Sequence, residues 1–436
     1  MNLLPSKFFN LTKFLLFGTA LISTLLGNEN IRKSSFDWSL VSNQKQKTEY
    51  ISRQFSAWQE TEEIKKKKFL RVVYFHPADK APLKDFSKRW DAILCDFQEF
   101  YRSEMIRLGY GPLTISLEIQ NGKVVLHLVR GNKNENSYTY KSGQQIRQEV
   151  FQELRQRGIN PEEETILIVC GLSKTEDKKV TIYSPYYGMG ANHNRGICFT
   201  ADMEWLSVEG LQPDPNNITL MVKEHRDYEP FTLGRFNTVY LGGAIHELGH
   251  GLSLPHNHAT EVESTLGTAL MGAGNYTYRK EWREEGKGSF LTHASAIRLL
   301  VHPLFSGTTK QSKEVPSLRY KKLGVRQEDK SIKISGKLEF AIPAIAMIAY
   351  NDRENKNQRG YMVSNDYDAT TWVSVISPQN EFNIQIEDLR DGNHQIRLVC
   401  VHANGATVTR RIHYLVNDGF ADFDMAKKEI SQILSK

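Results

Sequence analysis

The chain has 436 residues, 40% of them hydrophobic and 24% charged, with a formal net charge of +6 at neutral pH. That length accommodates two or three domains of ordinary size, and the composition is that of a folded protein, not a disordered or fibrous one. The positive charge is spread along the chain, its one basic run (IKKKKF, 64–69) is short, and no nucleic-acid-binding module accompanies it, which argues against a nucleic-acid partner.

At the N-terminus, Lys7 and Lys13 precede the apolar run FLLFGTALISTLLG (14–27), and polar sequence follows at once. The run is of signal-peptide length and too short to span a bilayer comfortably. The expectation is export, to the medium, the periplasm or the cell surface, with residues 1–27 removed and no stable membrane span left. Gly27 suits a cleavage site, although Leu25 stands where a small residue is preferred. The four cysteines, Cys95, Cys170, Cys198 and Cys400, form no CxxC pair, so neither a zinc knuckle nor a redox motif is present. Cys95, Cys170 and Cys400 lie in apolar runs and read as small core residues, and a Cys170–Cys198 disulfide is open to an exported chain.

Residues 28–68 form a polar lead-in, with a helical pattern from 49 to 66 that is either a first helix or a linker. FLRVVYFHP (69–77) reads as a buried strand ended by Pro77. Over 83–111, Trp90, Ile93, Leu94, Phe97, Tyr101, Met105 and Leu108 recur at helical spacing, and Gly109 stops the helix. LTISLEI and KVVLHLV flank Asn121-Gly122, a hairpin signal. A second helix is expected at 143–157, a central strand at TILIVC (165–170), an edge strand at KVTIYSP and a further strand at 196–206. A polar loop from 209 to 234 then leads to another helix, with Asn237 or Thr238 as its N-cap. FLTHASAIRLLVHPLF (290–305) is the last helix before a change of character. From about 325 the chain consists of short alternating segments separated by turn residues, the pattern of a β-sandwich. A charged helix at 423–436 closes it.

The chemistry concentrates in GGAIHELGHGLSLPHNH (242–258). His246 and His250 are four residues apart, so on a helix both imidazoles reach one ion from one face. Glu247, between them, is placed to serve as general base toward a water. His256 lies beyond the reach of a continuous helix. Gly251 weakens the helix, however, and Leu254 before Pro255 leaves it, so the chain breaks where a third ligand needs it to. With 13 histidines in the chain, an HExxH arises by chance in only about one chain in fifty, and a well-placed third histidine makes it rarer still. Zn²⁺ is the cofactor this donor set implies.

This stretch resembles the signature of the metzincin zinc metallopeptidases, HExxHxxGxxH followed by a methionine turn. His246, Glu247, His250 and His256 match it, and TALMGAGNYTY (268–278) looks like the turn, with Met271 as the residue supporting the site from below. The resemblance covers about 69–305 and implies an α/β (α+β) catalytic domain with a mixed twisted sheet. Two positions depart from it. Ser253 stands where the clan has glycine, which puts the turn after the helix in question. Ala273 stands where some members carry a tyrosine, so that residue cannot be carried over, and Tyr276 and Tyr278 are the remaining candidates near the turn. His258, Glu261 and Glu263 compete with His256 for the third ligand position. The glycine- and tyrosine-rich SPYYGMGANHNRG (184–196) borders the cleft in the resembled fold, where extended substrate adds to an edge strand. His193 and Arg195 are candidate substrate contacts there.

Taken together, the sequence predicts a secreted zinc metalloendopeptidase acting on protein or peptide substrates. Residues 69–320 form the catalytic domain, and 325–422 an Ig-like accessory sandwich able to bind a glycan or protein ligand. Two other classes stay open: a catalytically silent, metal-containing surface protein that binds through the sandwich, and a zinc hydrolase acting on a non-protein amide. The intact Glu247 argues against the first, because a binder has no use for a general base.

Overall fold

A computed structural model describes residues 36–60, 68–356, 362–363, 367–387 and 389–435. The expected signal peptide and most of the basic run lie outside the described residues. The chain divides into a short unit, Met1–Ser39, and a large one, Leu40–Lys436. In the short unit, Phe36 meets Trp38 edge to face. No helix among the described residues is long and apolar enough to cross a membrane.

The large unit begins with a helix, α1 (Gln44–Gln59), capped by Asn43 in a capping box with Gln46. It is no linker. Ile51 and Phe55 are buried, Thr48 Oγ1 bonds the His293 ring, and the Tyr50 hydroxyl donates to the Ile376 carbonyl. One helix therefore ties together segments more than 300 residues distant in sequence.

The first sheet combines β1 (Arg71–His76), β2 (Leu126–Arg130), β3 (Thr165–Cys170), β6 (Tyr187–Asn192) and β7 (Arg195–Ala201) in the order β2-β1-β3-β7-β6. All pairings are parallel except that of β6, which lies antiparallel to β7 at the sheet edge. β1 and β3 are apolar on both sides because helices cover the sheet, as expected of parallel strands. α2 (Phe86–Arg107) buries Trp90, Ile93, Leu94, Phe97, Tyr101 and Met105. α3 (Gly143–Gln156) packs Ile146, Val150 and Leu154 with Val73, Phe75, Ile166 and Ile168. Fully buried Asp202, just past β7, accepts from the Tyr74 hydroxyl, the Arg89 guanidinium and the Trp90 indole, which pins α2 to the sheet through a satisfied charge. A second sheet, in the order β9-β8-β5-β4, joins β4 (Ser173–Glu176), β5 (Lys179–Ile182), β8 (Thr219–Lys223) and β9 (Glu229–Thr232).

Several expectations are corrected here. The 209–234 segment is not a plain loop, since β8 and β9 lie in it. α4 (Leu233–Gly251) therefore starts earlier than expected, capped by Thr232, whose side chain accepts from the Arg235 N–H. Asn237 and Thr238 are inside this helix. LTISLEI forms only an isolated bridge at Leu117 and a two-residue strand at Ile119–Gln120, although the Asn121-Gly122 turn does form, with both residues at positive φ. The strand predicted over 196–206 ends at Ala201. The 290–305 helix shortens to α5 (His293–Leu300), followed by a single turn at Pro303–Ser306. Cys95 is exposed, because it falls on the outer stripe of α2, while Cys170, Cys198 and Cys400 are buried. All four are free thiols, so Cys170 and Cys198 are not bridged.

The C-terminal part begins at 318, earlier than the change of pattern suggests. One antiparallel sheet has the order β10-β11-β14, from β10 (Leu318–Glu328), β11 (Ser331–Phe340) and β14 (Glu381–Ile386). The other has the order β13-β12-β15-β16-β17, from β12 (Ala344–Arg353), β13 (Thr370–Val375), β15 (Gly392–His402), β16 (Thr407–Asn417) and β17 (Phe420–Asp422). Ile332, Ile334 and Phe382 of the first share one core with Ile396, Leu398, Cys400 and Ile412 of the second. α6 (Asp424–Leu434) closes that core with Ala426, Ile430 and Ile433.

Candidate metal centre

α4 carries His246, Glu247 and His250 against the sheet edge at backbone distance. Glycines permit this. A Cβ on Gly188 or Gly190 of β6 would meet the Glu247 carbonyl or Ser253, and one on Gly196 would meet the Gly251 carbonyl. Below the helix, a Cβ on Gly249 would run into the Met271 sulfur. The sequence GMG of β6 and the glycines of α4 thus form one contact surface in which small residues let two backbones touch.

The helix ends as the breaking elements require. The Leu252 N–H bonds Leu248 O, the Leu254 N–H bonds Gly249 O, and Ser253 between them sits at φ +64°. The left-handed turn that glycine usually provides is therefore present, made by a serine at some conformational cost. The Arg298 guanidinium donates to the Ser253 carbonyl and braces the turn. Pro255 follows, and the chain returns to place His256 over the helix.

His246, His250 and His256 offer nitrogens that all lie within 4.8 Å of one another. His246 Nδ1 is 2.7 Å from the Leu270 carbonyl and His250 Nδ1 is 2.9 Å from the Leu254 carbonyl. Each Nδ1 must donate to its carbonyl, which leaves the Nε2 lone pair of both rings facing the shared space. His250 Nε2 and His256 Nε2 are 2.9 Å apart. A tetrahedral ion with bonds of 2.0–2.1 Å needs ligand atoms ~3.3 Å apart, a separation that the His250–His256 pair reaches with a few tenths of an ångström of side-chain movement. The donor set fits zinc. Burial, reinforced by the neighbouring ring of His250, pushes His246 down to about 4. Burial, His250, His246 and the Arg397 charge push His256 down to about 3. Both rings are neutral at physiological pH, the form a metal ligand requires.

Glu247 is largely buried, and desolvation raises its carboxyl to about 7 while a hydrogen bond from the Gly188 N–H, at 2.7 Å, opposes that rise. It lies beside the histidines without joining their cluster. Met271 is buried, its sulfur under Gly249, and the carbonyls of the same segment hold the site. Leu270 O receives His246 Nδ1–H, and Met271 O receives the Asn257 N–H.

The other candidates are placed elsewhere. Neither His258 nor Glu261 nor Glu263 belongs to the cluster. His258 is exposed, with Nδ1 on the Ala259 carbonyl, and the Glu263 carboxylate is bonded by Thr260. Tyr278 is fully buried and donates to Asp96, so it has no access to a substrate. Tyr276 is exposed. His193 donates to the Ser312 carbonyl and Arg195 pairs with Glu162, so both expected substrate contacts are engaged away from the histidines. Two residues that sequence reasoning missed complete the site. Gly188 supplies the N–H to Glu247, and Tyr367, from the C-terminal part, stacks on His256. The alternating glycines of YGMG were a readable sign of close backbone approach. Nothing local marked Tyr367.

With this geometry in view, the solved structures that resemble the chain take on meaning. Wild-type OgpA from Akkermansia muciniphila superposes with a TM-score of 0.66 at 27% identity, covering 80% of this chain and 94% of OgpA. A second crystal form of the wild type gives 0.66 at 26%, covering 83% and 97%. Catalytically inactive OgpA in complex with an O-glycopeptide (glycodrosocin) substrate gives 0.66 at 25%, covering 82% and 96%. No protein-family model matches the chain, and no curated protein matches it in sequence.

Proposed function

We propose that this protein is a secreted zinc metalloendopeptidase of metzincin-like build that cleaves O-glycosylated peptides, with its C-terminal sheets forming an Ig-like sandwich. The observation that carries the reading is the joint placement of three histidines whose nitrogens converge and one part-buried carboxylate beside a sheet edge. The likeness to OgpA, an enzyme captured with an O-glycopeptide substrate, supports the substrate class.

His246, His250 and His256 would hold the ion. A bound zinc ion supplies Lewis acidity, polarising the scissile carbonyl and making a water molecule more acidic. Glu247 takes the proton of the attacking water on its carboxylate and delivers it to the departing amine. Its neutral-range affinity for a proton lets it do both, and the Gly188 N–H holds it in place. β6 is the sheet edge next to these groups, so an extended peptide can add to it as a further strand. Tyr140 and Tyr276 present exposed rings, and Tyr140 lies within reach of the charge of Glu247. Aromatic faces of this kind suit the C–H faces of a sugar attached to that peptide.

The test compares wild type with Glu247→Ala for bound zinc and for cleavage of one peptide prepared with and without an O-glycan. Zinc in both proteins, with cleavage of the glycosylated peptide by wild type alone, is the expected result. A folded wild type that takes up no zinc refutes the metal centre. Zinc without cleavage of either peptide refutes the peptidase, and equal cleavage of both peptides refutes the glycan requirement.

A further inference from the structure

His246 and His250 each have an Nδ1 hydrogen bond to a backbone carbonyl that fixes the ring. His256 differs. Among the described residues no hydrogen bond reaches its Nδ1, and its only hydrogen-bonded neighbour is His250, through Nε2. Its ring is instead covered by Tyr367, stacked with centroids 3.7 Å apart and planes at 26°. Tyr367 precedes β13 of the C-terminal part, and the same stretch grips the loop bearing His256. The His258 N–H donates to the Ala369 carbonyl at 2.7 Å, and His258 and Thr370 form a parallel bridge.

From this we infer that the C-terminal sandwich is part of the metal centre, with Tyr367 as the positioning residue that orients His256, a role the carbonyls of Leu270 and Leu254 play for the other two ligands. The inference rests on the proposed zinc reading. Metal ligands need an outer contact to fix ring orientation, and loss of such contacts weakens metal binding. A π-stacked neighbour supplies that restraint without a hydrogen bond. The half-exposed position of Tyr367 means that its ring is held by this contact and not by a surrounding core. The sandwich then has a role beyond tethering substrate: the third ligand is oriented only when this part of the chain is docked.

The full-length chain tests this with Tyr367→Ala, Tyr367→Phe and His256→Ala. Zinc affinity is measured by chelator competition, and the visible absorption of the cobalt-substituted protein reports ligand geometry independently of activity. Tyr367→Ala should bind zinc about five- to tenfold more weakly and alter the cobalt spectrum toward that of His256→Ala. Tyr367→Phe, which keeps the ring, should stay within about twofold of wild type. Should the alanine variant fold poorly, Tyr367→Leu fills much of the volume without a π face and is read in the same way. Wild-type affinity and spectrum in Tyr367→Ala overturn the inference, as does an equal loss in Tyr367→Phe. If His256→Ala binds zinc as tightly as wild type, the ligand assignment itself fails, a different outcome from failure of the stacking role.

Discussion

Replacing Gly188 by alanine tests whether the contact between β6 and α4 organises Glu247, the proposed general base. The added Cβ would lie 1.9 Å from the Glu247 carbonyl oxygen, 2.8 Å from its carbon and 2.9 Å from His250 Cβ. Two of these neighbours are backbone atoms of a buried helix, so the strand has to yield. A retreat of about 1 Å lengthens the 2.7 Å bond from the Gly188 N–H to the Glu247 carboxylate beyond hydrogen-bond range. A hydrogen bond to a charged group contributes about 1.5–3 kcal/mol, so kcat/KM should fall by roughly ten- to a hundredfold. The pH profile adds a signed check. The Gly188 N–H lowers the proton affinity of Glu247 against the opposing effect of burial. Losing it should therefore shift the acidic limb of activity to higher pH, while zinc content stays at one ion per chain. The assay is peptide cleavage across pH 5–9 with metal analysis on the same samples. A variant with kcat/KM within twofold of wild type and an unmoved acidic limb would refute the reasoning.

Two further changes address stability. Ser253→Gly relieves a left-handed residue that costs an L-amino acid about 1–2 kcal/mol and removes a buried hydroxyl with no hydrogen-bond partner among the described residues. Set against the greater freedom of glycine in the unfolded chain, the net gain should be about 1 kcal/mol, read as a higher denaturant midpoint; an unchanged or lower midpoint counts against the strain. Glu247→Gln bears on the metal-free protein. The folded carboxyl sits at about 7 against 4.5 unfolded, so the folded state binds the proton more tightly and wild type loses stability as pH rises between those values. Glutamine removes that loss, and the variant should be more stable than wild type by about 3 kcal/mol at pH 8 and equal to it near pH 4. Equal midpoints at pH 8 would show that the carboxylate is not penalised by burial.

The elements nearest the chemistry were legible because their causes are local. Helical spacing puts His246 and His250 on one face, the Gly251, Leu254 and Pro255 sequence ends that helix, and the runs at 71–76 and 165–170 are apolar enough to require covering on both sides. The errors arose where tertiary pairing overrode local pattern. β9 (EPFT) is too polar to read as a strand and exists because it pairs with β8, whereas β8 (TLMVK) is a short apolar run hidden by the polar residues on either side of it. Cys95 lies in an apolar run, yet the helical repeat turns it outward.

The sequence by itself determined the donor set, its spacing and the break that sends His256 back toward the helix, since all of these are properties of one stretch of 17 residues. It left the third ligand open among His256, His258, Glu261 and Glu263, and only the folded chain gathers His256 with the other two histidines. The tertiary structure alone decided what surrounds them. The Gly188 N–H comes to Glu247 from 59 positions upstream, and the Tyr367 ring to His256 from 111 positions downstream. Contacts of that range leave no period and no motif, because they depend on how sheets and helices dock, and a single sequence records only what each segment prefers locally.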